Sequence, residues 1–295
     1  MKNFSTNGPL FSSNFSLNIR GRILDLSIPR VMGIINVTPD SFYGGSRLSD
    51  PANAIQAAGE MLAQGADILD VGAVSSRPGA QDVSEAEEKN RLIPVLEALR
   101  NEFPECAISL DTWRSKIARE MHHRFEIDMV NDISAGTMDK GMFTTMAELG
   151  IPFVIMHMQG SPADMQEHPT YHHVVDDLLQ YFAERVFRLR KLGINDIIID
   201  PGFGFGKTVE HNYMLLARLS AFRMLELPLM VGISRKSMIC KLLGTDPAHA
   251  LNGTTAAHMA ALFNGASLLR VHDVQPAVET VKIFHQIVKS GCKGV

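Results

Sequence analysis

The amino-acid sequence predicts an α/β fold, specifically a TIM (β/α)8 barrel with an N-terminal β-hairpin. Short apolar runs of strand length alternate with longer amphipathic stretches, and eight of these runs end on polar residues. The polar ends recur on average about every 33 residues, which is the size of one βα unit. The eight runs are residues 32–36, 67–70, 107–111, 129–132, 153–157, 196–200, 229–234 and 268–272.

The elements follow from local patterns taken in chain order. Residues 1–13 are polar and rich in Ser and Asn, which predicts a flexible tail. Residues 14–27 alternate around Gly21 and predict a hairpin that closes one end of the barrel. Helical stretches are predicted over residues 50–64, 84–102, 115–124, 138–149, 171–192, 210–219, 235–243, 254–264 and 276–288. Residues 14–295 are therefore expected to form a single domain.

A doubly wound open sheet is the competing architecture. It would place its ligand at one switch point and would need no polar residue at the end of every strand. A polar residue at the end of a buried strand costs free energy unless it has a partner. Eight such ends in succession therefore favour a barrel with one shared pocket above the carboxyl ends of its strands.

Composition narrows the functional class. The chain has 295 residues, 45% of them hydrophobic, and a net charge of −4, so its overall charge does not suggest nucleic-acid binding. Three widely spaced cysteines form no metal-binding or disulfide pattern, which indicates a reducing compartment. The N-terminus lacks a signal-peptide pattern, and no apolar run is long enough to span a bilayer. We therefore expect a soluble cytoplasmic protein with no membrane or nucleic-acid partner.

The glycine-rich segment 201–207 follows the sixth apolar run. It fails the P-loop template, which needs Gly in place of Pro201, and the dinucleotide template, which needs Gly in place of Lys207. Its backbone is nevertheless suited to a close approach to a ligand. Phe203 or Phe205 would then supply a stacking face, or both phenylalanines would simply cap the barrel.

Several other strand ends carry anion-binding chemistry. Residues 36–42 contain amide, hydroxyl and carboxylate oxygens suited to magnesium beside a phosphate, and residues 75–79 add two hydroxyls and a guanidinium. Residues 234–237 place cations and hydroxyls at the start of a helix. Arg270 and His272 lie two apart on a predicted strand, so they would share a face and could hold a diphosphate.

Three further strand-end residues are suited to binding the hydrogen-bonding edge of a heterocycle. Asp111, Asn131 and Asp200 could bind an amidine-like edge such as that of guanine or a pterin, because a carboxylate accepts two parallel N–H bonds. Each of them taken alone is better explained as a cap on a neighbouring loop.

Together these segments resemble the dihydropteroate synthase family, over about residues 31–285. The motifs that carry the resemblance are residues 32–42, 76–80, 156–160, 200–207, 234–238 and 270–273, in the order typical of that family. The resemblance implies a homodimeric transferase of folate biosynthesis, targeted by sulfonamides. It would join 4-aminobenzoate to 6-hydroxymethyl-7,8-dihydropterin diphosphate with Mg²⁺, releasing diphosphate and 7,8-dihydropteroate.

The resemblance also implies residue roles. Asn36 would bind the metal, and the catalytic residues would be Asp111, Lys236 and Arg77. The implied pterin diphosphate site consists of Ser76, Asp111, Asn131, Met156, Asp200, Lys236, Arg270 and His272. The implied aminobenzoate site consists of Arg77, Phe205, Lys236 and Ser237.

The sequence departs from the family pattern in two loops. Val74 and Ser76 stand where the family typically has Glu and Thr, and Tyr43 stands where an acidic residue is common. Two rival interpretations remain. A corrinoid-dependent methyltransferase would share the pterin-reading residues but would not need a diphosphate site. A non-catalytic pterin-binding paralogue is favoured only by the altered loops.

Overall fold

The molecule is a parallel barrel with an additional N-terminal hairpin. The computed structural model describes residues 15–38, 50–75, 83–162, 164–167 and 169–291. The hairpin consists of β1 (Ser16–Ile19) and β2 (Arg22–Asp25). The barrel strands are β3 (Arg30–Asn36), β4 (Ile68–Gly72), β5 (Ala107–Asp111), β6 (Met129–Asp132), β7 (Phe153–Met156), β8 (Ile197–Asp200), β9 (Met230–Val231) and β10 (Leu268–Val271).

The barrel strands are joined in parallel in the order β8-β7-β6-β5-β4-β3-β10-β9. A parallel bridge between Ile199 and Leu229 then connects the two ends of this sheet. A sheet whose ends pair with each other has no open edge. The predicted barrel is therefore confirmed, and the open-sheet alternative is wrong.

Helices follow the strands as a βα repeat requires. Within the described ranges they are α1 (Pro51–Ala63), α2 (Glu85–Glu102), α3 (Ser115–Phe125), α4 (Met142–Leu149), α5 (Val174–Lys191), α6 (Val209–Ala217), α7 (Ser237–Leu243), α8 (Leu251–Phe263) and α9 (Val274–Gly291). Two 3₁₀ turns, Leu219–Leu225 and Pro247–His249, were not predicted. Among these described helices, none is both long and apolar enough to cross a membrane.

Local hydrogen bonds explain the largest helix-boundary error. α4 begins four residues later than predicted because Asp139 accepts hydrogen bonds from the backbone N–H groups of Gly141 and Ser115, at 2.8 and 2.7 Å. An Asp side chain bonded to the backbone in this way favours a turn over a helix. The helix therefore begins only after Gly141.

The N-terminal hairpin closes the amino ends of the barrel strands. Arg20 and Gly21 both have positive φ, 48° and 77°, as a two-residue type I′ turn requires. Leu17, Ile19 and Leu26 are buried against an apolar layer from the barrel interior: Met32, Ile68, Met129, Val154, Ile198, Met230 and Leu268. This confirms the predicted hairpin and leaves the carboxyl ends of the strands to form a site. Residues 1–13 lie outside the described part of the chain, so the predicted tail and domain limits stay predictions.

The main apolar core lies between the strands and the surrounding helices. Leu92, Leu96 and Leu99 of α2 are completely buried, and they belong to the same cluster as Leu69 and Leu110 of β4 and β5. Burying a leucine side chain contributes about 1.5–3 kcal/mol. This outer layer provides a rigid framework for the polar groups at the carboxyl ends of the strands.

Candidate active site

Strand register places the first group of site residues in one row. Asn36 pairs with Gly72, Gly72 with Asp111, and Asp111 with Asn131, across four adjacent strands. Gly72 leaves space in this row, because a Cβ added there would lie 3.1 Å from the Asp111 Cβ. The parallel ladder therefore brings side chains from distant parts of the sequence to the same end of the barrel.

A pocket opens above this row. It is lined by Asp111, Asn131, Ile133, Met156, Asp200, Phe205, Gly232, Lys236 and Arg270. The space they surround measures about 300 Å³, including its open mouth. Seven of the nine lining residues belong to the site predicted from the sequence. The exceptions are Ile133 and Gly232.

Arg270 is the electrostatic centre of this pocket. Its Nε donates to Asp70 Oδ2 at 2.6 Å, and its Nη2 donates to Asp111 Oδ2 at 2.7 Å. Asn131 donates to the same Asp70 oxygen at 3.1 Å. One guanidinium therefore orients two carboxylates, and Asp70 couples it to the amide of Asn131.

Asp70 was not assigned a role from the sequence, although its strand was recognised. It is completely buried, and its other carboxylate oxygen, Oδ1, has no hydrogen-bond partner among the described residues. The available signal was a carboxylate that follows two apolar residues in a buried strand. Such a charge requires a cationic partner, and that partner is Arg270, 200 positions away in the sequence.

The pKa values of Asp111 and Arg270 are both raised, but for different reasons. Burial raises the pKa of Asp111 to about 7, with Arg270 opposing and Asp70 reinforcing this effect. Burial alone would lower the pKa of Arg270, but the charges of Asp70 and Asp111 more than compensate and raise it. Arg270 therefore stays cationic, while Asp111 changes charge near neutral pH.

A second acid–base pair, Asp200 and Lys236, lines the same pocket. Asp200 accepts a hydrogen bond from the Gly202 N–H at 2.8 Å. Burial raises the pKa of Asp200, and the positive charge of Lys236 opposes that effect. Burial lowers the pKa of Lys236 to about 8, with Asp200 opposing. Each group thus favours the charged form of the other.

The two phenylalanines of the glycine-rich loop have different environments. Phe203 is completely buried, and its carbonyl oxygen accepts a hydrogen bond from Lys236 Nζ. Phe205 lines the pocket, with Lys236 Nζ 4.5 Å from the centroid of its ring. Of the two alternatives, Phe203 caps the core, whereas Phe205 presents an aromatic face beside a cation.

The predicted anion-binding strand ends lie next to the pocket. Ser234 Oγ accepts a hydrogen bond from the His272 N–H at 3.2 Å and lies 3.2 Å from His272 Nδ1. Arg235 binds both carboxylate oxygens of Asp273 at 2.7 Å, which ties the two loops together. His272 follows the last residue of β10, so the predicted strand is one residue too long. Ser237 is exposed at the first position of α7.

Some of the predicted site lies in ranges that the structure does not describe. Ser76 and Arg77 lie outside the described residues, as do residues 39–49 of the first polar loop. Asn36 is partly buried at the carboxyl end of β3. Within the described ranges, no group of three or more His, Cys, Asp or Glu side chains could hold a metal ion. The amide oxygen of Asn36 is the kind of hard donor that suits Mg²⁺, an ion that commonly takes only one or two protein ligands.

Comparisons with known proteins agree with this geometry. A model of the pterin-binding enzyme family matches residues 32–272. The dihydropteroate synthase of Escherichia coli (strain K12) is 45% identical over 266 residues, covering 90% of this chain and 93% of that protein.

Solved structures show the same similarity. A Yersinia pestis dihydropteroate synthase in a sulfonamide drug complex superposes with a TM-score of 0.89 and 42% identity, covering 93% of this chain and 100% of that one. The Thermus thermophilus dihydropteroate synthase in complex with 4-aminobenzoate has a TM-score of 0.83 and 39% identity, covering 92% and 100%.

Proposed function

Because this chain belongs to the dihydropteroate synthase family of pterin-binding enzymes, we propose that it condenses 6-hydroxymethyl-7,8-dihydropterin diphosphate with 4-aminobenzoate. The products are 7,8-dihydropteroate and diphosphate. The observation that carries the proposal is the convergence of Asp111, Asn131, Asp200, Lys236 and Arg270 on one pocket. This set combines hydrogen-bonding groups for a heterocycle with two cations for a phosphate-bearing leaving group.

The pterin is assigned to the polar inner wall of the pocket. Asn131 and Asp200 are only 3% and 4% exposed. Because they have little contact with water, a ring system that binds here must provide hydrogen-bond partners for them. A carboxylate and an amide together accept and donate along the edge of a 2-amino-4-oxo pyrimidine. Met156, which is equally buried, supplies an apolar surface for the ring.

The reaction requires charge stabilisation more than base catalysis. The neutral amine of 4-aminobenzoate attacks the pterin methylene carbon, a C–N bond forms, the C–O bond to diphosphate breaks, and the amine then loses a proton. Lys236 and Arg270 stabilise the departing negative charge, while the Asp111 carboxylate stabilises the cationic pterin-methyl group. Asp111 is already held toward the pocket by Arg270 at 2.7 Å.

The arylamine is assigned to the outer part of the pocket, beside Phe205 and Lys236. The aromatic face of Phe205 and the cation 4.5 Å from its centroid suit a ring that carries a carboxylate. Arg77 and Ser237 complete this proposed subsite. Related structures with 4-aminobenzoate or a sulfonamide drug support the assignment, and we expect sulfonamides to compete with aminobenzoate here.

Magnesium is proposed as the cofactor, with Asn36 as its protein ligand. The amide oxygen of Asn36 is a hard donor, and Mg²⁺ in phosphate sites commonly takes one or two protein ligands and completes its shell with phosphate oxygens and water. When bound, the ion would neutralise charge on the leaving diphosphate. The register that places Asn36 in the same row as Asp111 supports this assignment.

The proposal includes a homodimer in the cytoplasm. α6 and α7 pack together and carry exposed apolar side chains: Met214 is 44% exposed, Leu242 62% and Leu243 56%. Large exposed apolar side chains on two helices that pack together favour association with a second copy. Light scattering of the wild type and of Leu243→Glu tests this part, and a monomeric wild type would contradict it.

Diphosphate release tests the reaction. Purified protein is mixed with the pterin diphosphate, 4-aminobenzoate and magnesium. We expect release that depends on aminobenzoate and is largely lost in Lys236→Ala and Asp111→Asn. Lys282→Ala, an exposed lysine on α9, is the matched control. Tight pterin binding without release would instead support a non-catalytic paralogue, and methyl transfer from methyltetrahydrofolate would support the methyltransferase.

A further inference from the structure

Lys207 is a fully desolvated lysine at the end of the glycine-rich loop. It is only 3% exposed. Its Nζ donates at 3.0 Å to the carbonyl oxygens of Gly202 and Phe205, and lies 3.0 Å from Nδ1 and 3.3 Å from the carbonyl oxygen of His157. An ammonium has three N–H donors, so these four acceptor atoms can engage all of them. We call the four acceptors the cage. The proposed reaction assigns no role to this residue.

The cage belongs to a larger arrangement that holds the whole loop. Every carbonyl oxygen of residues 202–206 accepts a hydrogen bond from a side chain. Lys207 binds those of residues 202 and 205, Lys236 binds that of 203, Gln166 binds that of 204, and Tyr171 binds that of 206 at 2.7 Å. The loop is therefore fixed by side chains from three separate segments.

Glycines allow the loop to approach the neighbouring strand closely enough for this arrangement. Gly202, Gly204 and Gly206 have φ values of +70°, +81° and +59°. A Cβ at Gly202 would lie 2.1 Å from the His157 carbonyl oxygen. The loop backbone is thus pressed against the end of β7, and Lys207 fills the polar space between them.

The charges around Lys207 are consistent with a hydrogen-bond donor. Burial lowers the pKa of His157 to about 2, with the charge of Lys207 adding to the effect, so the imidazole is neutral and its Nδ1 can accept. Burial lowers the pKa of Lys207 well below its ordinary value, whereas the Asp200 carboxylate favours its cationic form and Lys236 opposes it.

We propose that Lys207 is a positioning residue for the arylamine side of the pocket. By holding the carbonyl oxygens of Gly202 and Phe205, its amine fixes the Phe205 ring against Lys236. This inference rests on the proposed function, since it assigns Phe205 to aminobenzoate. Without the amine, two buried carbonyl groups lose their side-chain donor, and the loop relaxes away from the position that places the Phe205 ring over the pocket.

Steady-state kinetics of Lys207→Met tests the proposal, with Lys282→Met on the exposed face of α9 as the matched control. We expect the KM for aminobenzoate to rise at least about tenfold, which corresponds to the loss of one buried hydrogen bond or more. The KM for the pterin diphosphate should change less than about threefold by the same conversion. A lysine needed only for folding would lower the apparent kcat and leave both KM values unchanged, which would overturn the proposal.

Hydrogen exchange gives a second readout that does not depend on activity. The Phe205 N–H donates to the Gly202 carbonyl oxygen at 3.1 Å, so a peptide covering residues 201–206 should exchange faster in Lys207→Met. Unchanged exchange would overturn the proposal. An inactive wild type would refute the proposed function and would leave this exchange test interpretable.

A milder variant covers the case in which Lys207→Met does not fold. Tyr171→Phe removes only the donor to the Gly206 carbonyl oxygen. We expect its aminobenzoate KM to rise about two- to fivefold, the range for one neutral hydrogen bond. Identical aminobenzoate KM values in this variant and the wild type would overturn the proposal.

Discussion

Replacing Asp111 with Asn should raise the free energy of unfolding of the protein and strongly reduce its rate of diphosphate release. Asp111 lies in the pocket with its side chain 16% exposed, and burial raises its pKa to about 7. In the unfolded chain an Asp titrates near about 4. The folded state therefore binds this proton more tightly than the unfolded chain does. The stability that this tighter binding contributes is fully present below about pH 4 and is lost as the pH rises through about 7.

The magnitude follows from the size of that shift. About three pH units at about 1.4 kcal/mol each mean that ionised Asp111 weakens folding by about 4 kcal/mol at pH 8. At pH 5 the corresponding difference is only about 1.4 kcal/mol, because pH 5 lies about one unit above the unfolded pKa while the folded carboxyl is still protonated. Asn has the shape of the protonated acid and never ionises. Asp111→Asn should therefore exceed the wild type in unfolding free energy by these amounts.

Urea unfolding at pH 5 and pH 8 measures the effect, with Asp176→Asn on the exposed face of α5 as the control for loss of one carboxylate. Diphosphate release by the same Asp111→Asn preparation should fall about 10²- to 10³-fold, as expected when a preorganised charge is removed from a reaction site. An advantage in stability that is equal at the two pH values, or that is larger at pH 5, would refute the reasoning.

Three further predictions concern the surroundings of the pocket. Affinity for the pterin diphosphate should fall as the pH rises through about 8, where Lys236 loses its charge, and a binding titration of Lys236→Ala should lack this pH dependence. Arg235→Lys replaces the two-point contact with Asp273 by a single charge, so the KM for the pterin diphosphate should rise about tenfold; an unchanged KM would contradict the link between the loops. Gly72→Ala places a methyl group 3.1 Å from the Asp111 Cβ, and urea unfolding should show a loss of about 1–3 kcal/mol in unfolding free energy. An unchanged unfolding free energy would mean that this methyl group does not clash with Asp111.

Much of the fold was predictable because its signal is local and repeated. Each βα unit carries its own apolar run and its own helix pattern, so eight repeats reinforce one interpretation. Helix boundaries were less predictable because contacts from elsewhere decide them. The start of α4, for example, depends on a bond between Asp139 and the N–H group of Ser115, 24 positions earlier.

The site could be predicted to the extent that it depends on strand ends. Asp111, Asn131 and Asp200 were selected because polar residues ending buried strands need a shared environment, and all three line the pocket. Asp70 has the same local pattern, but its role depends on an ion pair with Arg270 that no local pattern reveals.

Lys207 was missed for a related reason. In the sequence it is the residue that spoils a nucleotide-binding template, and nothing nearby indicates that the loop folds back over its own side chain. The cage around its Nζ depends on the positive φ values of the loop glycines and on His157, 50 positions away. Motif templates test which residue stands at a position, whereas this role depends on how the backbone turns around it.

The pocket shows why an active barrel needs such a large apolar framework. Burial raises the pKa values of Asp111 and Asp200 and lowers those of Lys207 and Lys236, so desolvation opposes the charged form of all four groups. The reaction nevertheless requires charges of both signs in a dry environment, where they act most strongly. The free energy that offsets this cost of desolvation must come from elsewhere in the molecule, namely from the apolar core packed between the strands and the helices. Asp111→Asn should therefore stabilise the fold, and substitutions in α2 that weaken this core should reduce the stability of the protein before they alter the geometry of the site.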